Sequence, residues 1–289
     1  MSAPVRRLDP VLVDRIAAGE VVERPASVVK ELVENALDAG ARSVEIVLEA
    51  GGRRLIRVSD DGGGMSRDDL ALAVERHATS KIADGDLSRI ATLGFRGEAL
   101  PSIGSVADLA IVTRRPDDPH GWALRVTAGA RGEAIPAQRP GGTQVEVRDL
   151  FFATPARLKF LKSERAEAQA AADVVRRLAM ANPDVRFAFA GAGVAAFDHL
   201  PAAGGAAEAL ARRLTQIMGE EFDANAVSLD HEREGLRVTG RVGLPTFHRA
   251  NALAQFVFVN GRPVRDKLLA GAIRAAYADF LPGDRHPAL

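Results

Sequence analysis

Ser27-Val28-Val29-Lys30-Glu31-Leu32-Val33-Glu34-Asn35-Ala36-Leu37-Asp38-Ala39-Gly40 reads as one amphipathic helix with a glycine stop. Val29, Leu32, Val33, Ala36 and Leu37 fall on one side at a period of about 3.6, and Gly40 ends the pattern in the usual way. Stepping by about 100° per residue gathers Glu31, Glu34, Asn35 and Asp38 in an arc opposite that stripe. Alone, such an arc is an ordinary solvated helix face.

The next segment gives the arc a neighbour. Val44, Ile46 and Leu48 alternate with Ser43, Glu45 and Glu49, and a second extended run covers residues 55–59 after Gly51 and Gly52, which predicts a β-hairpin. Asp60-Asp61-Gly62-Gly63-Gly64 then stands at the end of a strand. Glycines let a ligand approach the backbone, and a carboxylate such as Asp60 accepts a hydrogen bond from an amino group like that of adenine. A glycine-rich turn is the competing reading. Ser66 and Asp69 predict a capping-box start for a helix to about residue 76.

Residues 77–100 hold neither period, which predicts a long loop of the kind that is usually functional. Within it, Gly94-Phe95-Arg96-Gly97-Glu98-Ala99-Leu100 precedes a helix start, where consecutive N–H groups can cradle phosphate and Lys81 and Arg96 add charge. Strands are predicted at 109–113, 122–127, 143–147 and 185–190, and a helix at 163–182 before Pro183. Residues 202–207 read as a linker, followed by helices near 208–218 and 267–280 and strands near 236–242 and 255–259.

Composition removes several classes of function. Thirty-eight basic against 38 acidic residues give a net charge of 0, so any attraction to nucleic acid must come from a local patch. The absence of cysteine excludes disulfides, thiolate zinc sites and a cysteine nucleophile. No HExxH, no GxxxxGK[ST] and no GxSxG occurs, which removes zinc proteases, P-loop enzymes and serine hydrolases. Gly191-Ala192-Gly193-Val194-Ala195-Ala196 superficially matches a dinucleotide fingerprint but is read as a turn. Charges interrupt residues 1–25, and the most apolar run, 187–197, is too short to span a bilayer, so no membrane partner and a cytoplasmic protein are expected.

Three runs together carry a family resemblance: Ile16-Ala17-Ala18-Gly19-Glu20-Val21-Val22-Glu23-Arg24-Pro25, residues 31–40, and residues 94–100. They closely resemble the MutL family of DNA mismatch repair ATPases, within the GHKL ATPases, and other GHKL branches would not share the first and third runs so fully. The resemblance implies an α+β chain: a GHKL-type (Bergerat) α/β sandwich over residues 1–205, then a smaller, ribosomal-protein-like α+β domain over 206–289. It implies ATP and Mg²⁺ as cofactors, with Glu31 as general base and Asn35 as metal ligand. Asp60, Gly64 and Thr143 would hold adenine, and Thr79, Ser80, Lys81, Gly94, Phe95, Arg96, Gly97 and Glu98 would form a lid over the phosphates, mobile until nucleotide binds.

The family further implies a homodimer formed on nucleotide binding, with the arm of residues 1–20 crossing to the partner, and association with other repair proteins such as the mismatch-recognition factor. DNA contact is expected at Arg157 and Lys159, beside Thr154-Pro155-Ala156-Arg157, and at Arg262 and Arg265. The family's lysine within Asn-Val-His-Pro-x-Lys does not occur before Leu289, and His286-Pro287-Ala288 is a superficial echo. The second domain is therefore expected to be incomplete and turnover weak. The alternative function is a DNA-binding or partner-docking module in which nucleotide is mainly a structural ligand.

Overall fold

Alternation along the strands builds two unbroken apolar rows across one face of a sheet. The structure, a computed structural model, describes residues 9–78 and 97–289. Nine strands, β1 (Ser43–Glu49), β2 (Leu55–Asp60), β3 (Asp108–Arg114), β4 (Gly121–Thr127), β5 (Ala130–Arg131), β6 (Ile135–Ala137), β7 (Gly142–Arg148), β8 (Arg186–Gly191) and β9 (Val194–His199), form a sheet in the order β5-β4-β3-β7-β2-β1-β8-β9, with β6 also on β4. The antiparallel register from β1 through β2, β7 and β3 to β4 aligns Ile46, Val58, Val145, Ile111 and Leu124 in one row. Leu48, Ile56, Val147, Leu109 and Val126 form the next. All these side chains are buried. Burying one such side chain is worth about 1.5–3 kcal/mol, and a one-residue slip would turn a whole strand's set outward. These rows hold the register.

Helices α1 (Pro10–Val21), α2 (Pro25–Asp38), α3 (Arg67–Ala73), α4 (Ala99–Val106) and α5 (Glu164–Ala181) complete this part of the chain. Val28, Val29, Leu32, Val33 and Ala36 of α2 are buried, with the helix over β1 and β2. Ile103 and Val106 of α4 are buried, with that helix over β3 and β4. The opposite face is charged: Glu146 pairs with Arg57 at 2.7 Å and with Arg148 at 2.8 Å, and Asp108 pairs with Arg125.

The capping box is present, since Ser66 Oγ accepts from Asp69 N at 3.1 Å and Asp69 Oδ2 from Ser66 N at 3.3 Å. The helix it starts ends at Ala73, short of residue 76. Helix α1 was not anticipated, because its own periodicity is weak. Tertiary contact defines it: α1 packs on α4, and Arg76 pairs with Asp14 at 2.7 Å. Gly193, at φ +83°, turns β8 into β9, so no helix follows the fingerprint-like glycines.

By contacts the chain divides into Met1–Val175 with Phe187–Asp198, and Arg176–Arg186 with His199–Leu289. The second unit contains α6 (Ala206–Met218), α7 (Glu220–Ala224), β10 (Ala226–Arg233), β11 (Leu236–Gly243), β12 (His248–Arg249), β13 (Val257–Val259), β14 (Arg262–Val264), α8 (Lys267–Ala276) and β15 (His286–Pro287). Phe222, Phe247 and Ala288 form its core with Leu214 and Met218. The echo His286-Pro287 is thus a strand, paired with β12. Arg213 is fully buried and donates to the carbonyls of Pro183 (2.9 Å), Val185 (2.6 Å) and Leu200 (3.1 Å). Burial pushes its pKa down to about 10, partly offset by Asp184. Helix α8 stops before residue 280, where Tyr277 donates its hydroxyl to Gly243 O at 2.7 Å. Strand β10 was missed because nearly all of it is exposed, so no half-buried alternation marks it. Among the described residues no helix is long and apolar enough to cross a membrane.

Candidate functional site

The next row along the helix-covered face is polar. Two residues beyond Val58 and Ile111, and two before Val145, strand parity places Asp60, Thr113 and Thr143 on the face that buries the apolar rows. Thr113 pairs with Thr143 across β3 and β7, with their hydroxyls 2.9 Å apart, and Thr143 N donates to Asp60 Oδ1 at 3.3 Å. Gly62 N donates to the same Oδ1 at 2.9 Å. Thr113 is fully buried and Thr143 nearly so. Burial raises the Asp60 pKa above the ordinary carboxylate value, against the two backbone donors and the charge of Arg139.

The glycine turn closes against α2. Gly63 N donates to Ala39 O at 2.9 Å, and Met65 N to Thr113 Oγ1 at 2.9 Å. Gly64 has φ +64°, and a Cβ there would lie 2.2 Å from Arg114 O; no other residue fits without displacing β3. Asp61 faces other duties, its Oδ1 accepting from Arg42 N and Ser43 N, both at 2.8 Å.

On α2 the polar arc is not uniformly solvated. Glu31 and Asn35 are half-buried, whereas Glu34 is only 5% exposed. Lys30 Nζ donates to Glu34 Oε2 at 2.9 Å and to Glu31 Oε1 at 3.2 Å. Burial raises the Glu34 pKa despite Lys30, and the Lys30 pKa also rises, since burial's downward pull is outweighed by the two glutamates. The helical wheel gave no sign of this, because an arc cannot tell a glutamate at the edge of the packed face from one in water. The chain position of Lys30, next to Glu31 and one turn before Glu34, was the available signal.

Gly97 (φ +60°) and Glu98 stand at the N-terminus of α4, with Glu98 Oε1 3.5 Å from His77 Nδ1. Thr79, Ser80, Lys81, Gly94, Phe95 and Arg96 lie outside the described residues. Of the basic residues, Lys159 and Arg265 are exposed and Arg262 is half-buried. Arg157 is engaged within its own unit: it donates to Val22 O, and its guanidinium carbon lies 4.3 Å from the centre of the Phe151 ring. The described part of the amino-terminal arm lies on α4 of the same chain, with Leu12, Val13 and Ile16 exposed. Among the described residues no group of three or more His, Cys, Asp and Glu side chains can hold a metal ion.

The fold around this site, helices over one face of the sheet with α2 beside the glycine turn, is that of the GHKL ATPase domain. Residues 23–150 match the family described as "Histidine kinase-, DNA gyrase B-, and HSP90-like ATPase", and residues 214–289 match "DNA mismatch repair protein, C-terminal domain". The chain belongs to the MutL family of DNA mismatch repair proteins. It is 62% identical over 285 residues to DNA mismatch repair protein MutL of Beijerinckia indica, covering 99% of this chain and 45% of that protein. The corresponding protein of Bradyrhizobium diazoefficiens is 61% identical, with 99% and 47% covered. The chain thus spans less than half the length of these curated relatives. The solved Aquifex aeolicus MutL ATPase domain complexed with ADP is 30% identical, with a TM-score of 0.67 and 93% of each chain covered. The N-terminal domain of a DNA repair protein gives a TM-score of 0.78 at 26% identity, with 96% of this chain and 85% of that one covered.

Proposed function

We propose that this chain binds and hydrolyses ATP within a mismatch repair protein, and that nucleotide orders a lid and pairs two such domains to switch repair partners. The row Asp60–Thr143–Thr113, closed by the glycine turn beside α2, carries the reading. Asp60 accepts the adenine amino hydrogens, with its Oδ1 already fixed by two backbone donors. Thr143 backs the ring, and Gly64 keeps the turn tight enough for the backbone to reach it. Glu31 takes a proton from water as the water oxygen attacks the γ-phosphorus, and ADP leaves with the electron pair of the broken P–O bond. A positioned base of this kind contributes about 10²–10⁴ in rate. Mg²⁺, held in part by Asn35, would neutralise charge on the phosphates. Residues 79–81 and 94–98 would close over them; the ADP complex of the Aquifex domain supports nucleotide at this fold.

Calorimetry with ATP and magnesium should register binding that Asp60→Ala abolishes, and Glu31→Ala should bind nucleotide but lose at least about 10² of any turnover. Equal heats for wild type and Asp60→Ala would overturn the assignment of the pocket. DNA contact at Lys159, Arg262 and Arg265, with Arg157 held back by its own packing, is part of the same reading, supported by the exposure of Lys159 and Arg265.

A further inference from the structure

Lys30 holds two carboxylates of unequal burial. The Glu34 side chain is 7% exposed and lies 2.9 Å from Lys30 Nζ, whereas the Glu31 side chain is 28% exposed and 3.2 Å away. Leaving a buried carboxylate without its cation is strongly unfavourable, so the ammonium stays with Glu34. The Glu31 contact is the looser branch, too open to add much to stability. Its effect is directional. A glutamate turns about three bonds, and a base works only with its oxygen held in hydrogen-bond reach of the water it deprotonates.

We propose that Lys30, anchored on Glu34, is a positioning residue that fixes the Glu31 carboxylate for the hydrolytic step. This rests on Glu31 being the general base. Lys30 touches no substrate in this scheme; it acts through Glu31 alone.

The test measures ATP hydrolysis by the full-length protein with magnesium for wild type, Glu31→Ala, Lys30→Met, Lys30→Arg and the double variant K30M/E34Q, which removes both members of the buried pair and so avoids a stranded carboxylate. The expected result is a kcat about tenfold lower for Lys30→Met and for the double variant, with KM for ATP within about twofold, and substantial recovery in Lys30→Arg. A purely structural ion pair would instead leave the double variant at wild-type kcat once folded, and that outcome overturns the proposal. So does a fall confined to KM, or no difference between Lys30→Arg and Lys30→Met. If wild type and Glu31→Ala hydrolyse ATP equally, the assignment of the base fails instead, a result visible without any Lys30 variant.

Discussion

Asp60 and Asp61 are adjacent residues of one chemistry with separate tasks. Asp61 fastens the start of β1 through Arg42 N and Ser43 N, whereas Asp60 shares strand parity with buried Val58 and lies in the polar row of the site. Its raised pKa fixes the sign of a pH effect. Between the ordinary carboxylate value and the raised one, the folded chain holds the proton and the unfolded chain does not, so stability falls as pH rises through that window. The proposed ligand contact runs the other way: only the ionised Asp60 would offer a full charge to an adenine amino group, so ATP affinity should fall as pH drops through the same window. Asp60→Asn separates the two. Its amide oxygen can still accept from Gly62 N and Thr143 N, so urea denaturation at neutral pH should show stability within about 1 kcal/mol of wild type or higher. An amide NH₂ facing the adenine amino group should weaken ATP at least about tenfold by calorimetry.

Secondary elements were legible where one face is buried. Helix α2, the β1–β2 hairpin and β3, β4 and β7 all show a clean period because each turns one side to the two apolar rows. Helix α1 and strand β10 lack that signal: one is defined by packing on α4 and the other is exposed nearly throughout. Asp60 and Thr143, expected together, do meet beside the glycine turn, whereas the electrostatics of α2 were not legible. Glu34 read as solvated and is buried, and Lys30 carried no expectation, because both facts depend on how α2 sits on the sheet. At this scale Gly142, the first residue of β7, offers a measurement. It has φ +92°, and a Cβ there would lie 2.1 Å from Asp60 O. Gly142→Ala should destabilise by about 2 kcal/mol or more and displace Asp60, reducing nucleotide heat. Gly141→Ala is the matched control, since nothing lies within 4 Å of its Cβ. It should stay within about 0.5 kcal/mol of wild type.

Equal numbers of acidic and basic residues leave no net field to draw in DNA, so the proposed DNA contact would have to come from a few side chains. Their local roles differ. Arg157 is tied to Val22 O and stacked on Phe151, and burial lowers its pKa, so its first duty is to the fold. Lys159 and Arg265 are exposed, and Asp266 beside Arg265 is committed to capping α8 through Leu268 N at 2.8 Å and Leu269 N at 3.0 Å. Binding to duplexes of unrelated sequence should therefore be similar, and weaken steeply between about 50 and 200 mM salt. Lys159→Glu and Arg265→Glu should each reduce the slope of log affinity against log salt by about 1 without lowering the melting temperature. Arg157→Glu should lower the melting temperature, because it breaks the Val22 contact and places a carboxylate over an aromatic face. If charge reversal at Lys159 and Arg265 left the salt slope unchanged, DNA would have to bind elsewhere, and the exposed basic residues of both units would be ordinary solvated surface.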